Sequence, residues 1–558
     1  MPKTIGPLSN KHIYLIILCT GIILFGKSIF YEFTHMDDAI LLVMNQAFIG
    51  NLKNLPKLFT TDVFISATNS QTFYRPLLNL LFMLEAQVAK DNPLLYHITN
   101  IFLHIGCSIL VYTLFQKLQF SNMLSALSAL IFCVHPLQTS AVVWIPGRND
   151  TLLTLFILSS FLFFLRAQET KRGSAYAAHI FLFFLAMLVK ESAFALPFLC
   201  IGYVYFAQGK KLQRVVLISL SSAYIFVIAI WFTLRSMVYR GFEIHNVAHS
   251  QIANFFSNLP AYLLYIGKVL IPINLSVFPN LADQSLFPGI FSVLIFTGLL
   301  FILRPASLRL ILWGIVWFFL FLAPSLTGEP IFYEHRTYCS MVGILIAVAS
   351  FTLVANMDFL HIKQVAGVGT LLLVFSLLTY FHEGDFRNRE SYAFNAYTTA
   401  PSADKSYSCM ASMYLDEGND AAAEEVILAE IRRKPSMAFA HRMLGDIYTK
   451  HHEYDFAAQE YEFSLRIEPL DLNTYEHYGK MNIEIGQMDI AIHLWKTAIQ
   501  INPDFLLGYY DLANCYIHAK NDPDSALVYV RELQRRGETV LPQLLKAIES
   551  HPLYLKKH

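Results

Sequence analysis

The chain has 558 residues, 55% of them hydrophobic, 14% aromatic and only 15% charged, with a mean hydropathy of +0.45. Its 41 basic side chains balance 41 acidic ones, which leaves no electrostatic footprint for a nucleic-acid partner. The 46 Phe and 29 Tyr are more than one soluble core uses, whereas lipid-facing helices take Phe freely and carry Tyr at their interfaces, so the composition is that of a polytopic membrane protein.

In chain order, apolar segments of near-spanning length are expected at about 12–30, 96–117, 122–136, 150–166, 174–189, 193–208, 213–233, 286–304, 309–325, 338–355 and 363–381, about eleven in all. Lys3 and Lys11 precede the first, and no small-residue cleavage site follows it, so it reads as a retained anchor. The stretches "YRPLLNLLFMLEAQVA" and "LPAYLLYIGKVLIPINL" contain Pro, Glu or Lys and read as interfacial or re-entrant helices. Seven cysteines without a CxxC pair, five of them (Cys19, Cys107, Cys133, Cys200, Cys339) in or beside apolar runs, predict neither a disulfide framework nor a zinc site.

Orientation follows from the cationic loops. Lys117, the Arg166/Lys171/Arg172 loop, the Lys210/Lys211/Arg214 loop and the Arg304/Arg309 loop fall on one side if the N-terminus is cytoplasmic. An odd number of spans then exports the C-terminus. The same topology gathers the unusual polar clusters on the extracytoplasmic face. They are Asp37 and Asp38 in "FTHMDDAILLVMNQ"; Arg75 in "YRPL"; His135, Trp144, Arg148 and Asp150 in "HPLQTSAVVWIPGRND"; Lys190 and Glu191 in "LVKESAF"; and Glu334, His335, Arg336 and Tyr338 in "GEPIFYEHRTY".

After about residue 400 the pattern becomes that of a soluble helical domain, and it repeats. Pro435, Pro469 and Pro503 are spaced by the 34 residues of a tetratricopeptide repeat. In "LNTYEHYGKMNIEIGQMDIAIHLWKTAIQINP", Gly479 permits close helix packing, Ala491 and Ala498 sit where two helices approach, and Trp495 fills the gap between them. The copy "AFAHRMLGDIYTKHHEYDFAAQEYEFSLRIEP" matches with Leu444, Gly445, Tyr448, Ala457, Tyr461 and Pro469. With weaker flanking copies around Tyr407 and Tyr509 this makes about four repeats, whose concave surface would take an extended peptide or partner protein.

Charge at the rim of a bilayer is costly and usually has a task. Two adjacent carboxylates such as Asp37 and Asp38 can take a proton from a hydroxyl or hold a divalent cation; either could equally cap the helix that follows. Cations at several external helix ends could converge on the phosphate of a lipid carrier, or could each snorkel to the headgroups. Arg148 could pair locally with Asp150, and His135 could be a satisfied rim histidine.

These motifs in this order, "MDDAILLVMNQ", "YRPLLNLLF", "YHITNIFLHIGCSILVYTL", "VHPLQTSAVVWIPGRNDTLL", "KESAFALPF" and "EHRTY" followed by the repeats, resemble the transmembrane and tetratricopeptide-repeat-containing O-mannosyltransferases and their bacterial relatives, within the type-C glycosyltransferase superfamily. The chain departs from them at Ser140, where many relatives carry an acidic residue, and at Ser340, where a Pro is common. The resemblance implies an all-α polytopic fold (residues 1–385) with an extracytoplasmic repeat α-solenoid (386–558). It implies a multi-pass protein of a bacterial inner membrane that moves mannose or another hexose from a polyprenyl-phosphate carrier to a Ser or Thr hydroxyl of an exported protein held by the repeats. Asp37 and Asp38 would be the catalytic acidic pair. Arg75, His135, Arg148, Lys190, Glu334, His335 and Arg336 would meet the donor phosphate, supported by Asp150, Glu191 and Tyr338. A divalent cation, Mg or Mn, could sit on His35, Asp37 and Asp38, although the superfamily has metal-independent members. The competing readings are a non-catalytic membrane scaffold that binds proteins through its repeats, a glycan polymerase or ligase, and a transporter.

Overall fold

The computed structural model describes residues 9–64, 73–238, 244–303, 305–328, 331–351, 354, 362–503, 505–536, 540 and 542–555. The expected spans 286–304 and 338–355, and the cationic loop at Arg304, lie partly outside them. Among the described residues the protein is all-α: only two isolated bridges, Asn280 with Ile331 and Pro305 with Phe351, have β geometry. The chain divides into two compact units, Met1–Ala403 and Asp404–His558.

Among the described residues of the first unit six helices are long and apolar enough to cross a bilayer: Asn10–Phe30, Leu94–Lys117, Ile145–Thr170, Arg214–Ser236, Leu308–Leu326 and Gln364–Phe386. Asn122–Val134 and Pro136–Val142 make a seventh if taken as one span bent by 53°. The bend has a local cause. Pro136 forces His135 out of the helical region, to φ −70° and ψ 131°, and the His135 ring then accepts from Leu137 N at 3.3 Å as a cap. Other expected spans are shorter: Gly173–Met187 has 15 residues, a rise of about 22 Å against the roughly 30 Å of a hydrocarbon core. Glu191–Ala207 and Phe287–Ile302 are likewise short apolar helices, as are the two expected to be interfacial or re-entrant, Pro76–Ala89 and Ala261–Leu270. Within 338–351, the described part of another expected span, the helix Met341–Ala349 has nine residues.

The most enclosed long helices are Ile145–Thr170 and Leu94–Lys117, with 67% and 56% of their apolar windows buried; Arg214–Ser236, at 22%, is peripheral. Arg148 and Asp150 lie in the first turns of the more enclosed of the two central helices, and Lys190 reaches Asp150 there. The unit extends past the expected boundary at residue 385 because Arg389–Thr399 is tied to it: Asn395 Oδ1 accepts from Val277 N at 3.0 Å, and Ser402 N donates to Asp283 at 2.9 Å.

In the second unit, helices begin at Asp404, Ala438, Leu472 and Leu506, each 34 residues after the one before, and their partners begin at Asp420, Tyr454, Met488 and Pro523. Each pair is a helical hairpin, and four are present among the described residues. Gly479 is required by contact. A Cβ there would come within 2.3 Å of the Trp495 indole, whose Nε1 donates to Glu476 O at 3.3 Å. The next hairpin back repeats the arrangement with Gly445 and Tyr461. Leu544 and Ile548 of Pro542–Glu549 pack on Val530 and Leu533, closing the last hairpin's apolar face.

Candidate functional site

The two adjacent carboxylates have different surroundings. Residues 31–36 leave the first long helix as a non-helical loop, with His35 in the left-handed region at φ 57°. Asp38 holds this loop together. Its carboxylate accepts from Thr34 N at 2.6 Å, Met36 N at 2.8 Å, Ala39 N at 3.0 Å and the Thr34 hydroxyl at 3.1 Å, and it caps the turn Ala39–Val43. Asp38 is 1% exposed, and burial pushes its pKa up against those hydrogen bonds. Asp37 is half-buried. With Asp38's oxygens taken by N–H and O–H donors, the pair does not offer the cation ligand set considered above. Among the described residues no three or more His, Cys, Asp or Glu are grouped to hold a metal ion.

From this loop a continuous line of contacts runs to the basic segments. Trp144 Nε1 donates to Thr34 Oγ1 at 3.2 Å. The Trp144 ring stacks against Tyr333 and lies 5.5 Å from the His335 ring. His335 Nε2 lies 4.0 Å from Asp150, and both Asp150 oxygens accept from Lys190 Nζ at 2.8 Å. Beside Lys190, Arg75 faces Glu191 at 3.6 Å. Burial pulls the Lys190 pKa down although Asp150 opposes it. His335 is driven well below the ordinary histidine range by burial and by the cations Lys190, Arg336 and Arg75, so its imidazole is neutral. Against the upward push of burial, Arg75 holds Glu191 below the usual carboxylate range.

Sharp local folding makes this possible. At "IPGRND" the chain turns so tightly that a Cβ on Gly147 would lie 2.2 Å from Ser140 O, so only glycine lets the turn seat on the preceding helix. That turn brings Trp144 and Asp150 to opposite ends of one short segment, one toward the acidic loop and one toward Lys190.

Four of the other expected site residues are engaged in the frame. Arg148, fully buried, forms an ion pair with Glu85, donates to Asn100 Oδ1 at 2.8 Å and Tyr96 O at 2.7 Å, and lies over the Phe82 ring; the local partner considered from sequence, Asp150, faces Lys190 instead. Glu334 accepts from Lys268 Nζ at 2.7 Å and Ser276 N at 3.0 Å and meets His382 at 3.0 Å. Although burial opposes it, Lys268 and His382 hold the Glu334 pKa down to about 2. His135 Nε2 donates to Val269 O, and the Tyr338 hydroxyl donates to His104 Nδ1 at 2.6 Å. Arg336 anchors one guanidinium nitrogen on Ser325 O and Ile331 O and lies over Tyr333, at the edge of the cluster. Sequence reasoning missed Thr34, Tyr333, Glu85 and Lys268. The last two carried a signal, because each is a charge inside an otherwise apolar helix.

Residues 75–235, which include the Arg75, Trp144, Asp150 and Lys190 segments, match the family described as dolichyl-phosphate-mannose-protein mannosyltransferase. The chain is similar to protein O-mannosyl-transferase TMTC1 of Homo sapiens, 31% identical over 204 residues that cover 34% of this chain and 23% of that protein. It is also similar to human TMTC3, at 28% over 214 residues, covering 37% and 23%. With protein O-mannosyl-transferase F38B6.6 of Caenorhabditis elegans the similarity extends to 470 residues at 25% identity, covering 78% of this chain and 64% of the relative. The chain thus spans about a quarter of the length of the two human relatives. Among solved structures, the crystal structure of MamA aligns over 33% of this chain and 96% of its own, at 18% identity and a TM-score of 0.23, too low to bear on architecture.

Proposed function

We propose that this chain is an O-mannosyltransferase-like membrane protein of the type-C glycosyltransferase family, as its similarities support, and that it transfers mannose or another hexose from a polyprenyl-phosphate carrier to a Ser or Thr hydroxyl of an exported protein. The acceptor oxygen attacks the anomeric carbon, the bond from that carbon to the phosphate oxygen breaks, and the polyprenyl phosphate leaves with the electron pair. Asp37 takes the hydroxyl proton. Asp38, whose oxygens are filled by its own loop, holds Asp37 in place and acts as the second member of the acidic pair. Charge building on the departing phosphate is met by Arg75 and Lys190, with Arg336 at the cluster's edge, and stabilisation that grows as the bond breaks lowers the barrier. Neutral His335 between them adds no charge of its own.

The observation that carries this reading is the line of contacts from Asp38 through Thr34, Trp144 and His335 to Asp150 and Lys190. It links a carboxylate loop to a cationic cluster through four separate segments, which supports a shared site for the proton acceptor and the leaving phosphate. The lysine and arginine bias of the loops supports a cytoplasmic N-terminus, which puts this site and the repeat unit on the extracytoplasmic side. The repeats would hold the acceptor chain.

The test is hexose transfer by the full chain in proteoliposomes, with polyprenyl-phosphate mannose and a Ser/Thr peptide, read as a one-hexose mass increment. Asp37→Asn should lower turnover by about 10² to 10⁴, the usual contribution of a general base. A wild-type rate in that variant would remove Asp37 from the mechanism, and no transfer by the wild type would remove the reaction.

A further inference from the structure

The Thr34 hydroxyl has one proton and is bonded on both sides. An indole N–H only donates, so Trp144 Nε1, 3.2 Å away, makes Thr34 Oγ1 an acceptor and leaves the Thr34 proton for the Asp38 carboxylate at 3.1 Å. The direction of this pair of hydrogen bonds is therefore fixed by chemistry. Trp144 is itself fixed: it is 6% exposed, stacks on Tyr333 and Tyr392, and leans on His335. Tyr333 and His335 stack on each other at 5.1 Å. The indole thus carries the position of the "YEHR" segment to the loop that contains Asp37 and Asp38. The loop is also anchored before Thr34, where Glu32 N donates to Arg387 O at 2.9 Å and Phe33 packs near Tyr96, while the Thr34–Trp144 bond ties it to the Trp144 segment.

We propose that Trp144 and Thr34 are positioning residues: a two-bond tether that holds the acidic loop in register with the Arg75–Lys190 cluster, so that Asp37 meets the acceptor hydroxyl at the sugar carbon whose phosphate the cations hold. This rests on the transferase reading above. It sets where the proton acceptor stands, without contact to substrate, so its loss changes the rate of the chemical step and leaves both substrates' binding alone. A purely space-filling Trp144 would behave differently, because Trp144→Phe keeps an aromatic ring in the stack and removes only the N–H.

Two measurements on the full chain test this. Trp144→Phe and Thr34→Val should each lower kcat about tenfold, with the KM for polyprenyl-phosphate mannose and for the peptide within about twofold of wild type, since a displacement of the order of 1 Å at a reacting group costs up to about 10²-fold. Thr34→Ser, which restores the hydroxyl, should recover the wild-type kcat, and the Trp144→Phe/Thr34→Val double variant should be no slower than either single one. Amide hydrogen exchange over residues 34–39 needs no turnover and should quicken in Trp144→Phe. The tether is overturned if Trp144→Phe keeps the wild-type kcat while Asp37→Asn loses it, if the two single losses multiply in the double variant, or if exchange in the loop is unchanged. A failure of the transferase reading would show instead as wild-type turnover in Asp37→Asn, with the exchange result still standing.

Discussion

Two sets of opposite charges lie in the first unit, built from the same residue types and used differently. One set is sealed: Arg148 with Glu85 and Lys268 with Glu334, where no side chain is more than 6% exposed. Arg148, Lys268 and Glu334 are tied further by backbone or amide partners. The other set is open at one side: Lys190 with Asp150 and Arg75 with Glu191, where Glu191 is 33% exposed and the cations 13% and 14%, Asp150 alone being enclosed at 5%. The sealed pairs join helices through side chains that are almost unexposed, whereas the open pairs leave their cations and Glu191 partly exposed, where we propose that an anion meets them. A charged motif in a membrane protein is therefore assigned by what surrounds it, and its residue type alone does not decide between clamp and ligand.

The comparison is broken most severely by removing one half of a sealed pair. Arg148→Met leaves Glu85 as an unpaired buried charge and should cost about 3 to 5 kcal/mol, while adding Glu85→Leu should recover most of it; thermal unfolding in detergent reads both. If the single variant is as stable as wild type, Arg148 is not a clamp. The Glu334 pair sharpens the contrast through pH. Its pKa is held at about 2 in the folded state against an ordinary 4.5, so its stabilisation, of the order of 3 kcal/mol, is fully present above pH 4.5 and is lost as pH falls from there toward about 2. The melting temperature of wild type should drop over that window, and that of Glu334→Gln, lower at neutral pH, should not follow it. The open pair gives the smallest stability effect: Arg75→Gln should cost under about 1 kcal/mol, as partly exposed ion pairs do.

The repeat unit was legible because its information is local. The 34-residue period, and contacts such as Gly479 with Trp495, lie within one hairpin and recur. The long central helices were legible from apolar length, but shorter ones such as Gly173–Met187 were not measurable that way, since composition marks a segment as apolar without fixing where its helix stops. The site was legible as a set of segments and not as a set of roles. Arg148 and Glu85 are 63 residues apart in the chain, and Lys268 and Glu334 are 66 apart, so neither pairing has a periodic signature. The same two partners, Glu85 and Lys268, are what made their helices poor candidates for simple spans, and read together with Arg148 and Glu334 they were the available clue. The distinct work of Asp38 was open from the sequence, where a cap and a base predict the same adjacent carboxylates; the backbone of residues 34–39 separates them.

The central claim is that the open cluster, and not the sealed pairs, meets the donor's phosphate. The most direct measurement is the affinity of the purified full chain for polyprenyl phosphate in Arg75→Gln and Lys190→Gln, each checked for an intact melting transition. The account predicts a loss of roughly tenfold in each, the value of one charge-assisted hydrogen bond. Wild-type affinity in both would contradict it.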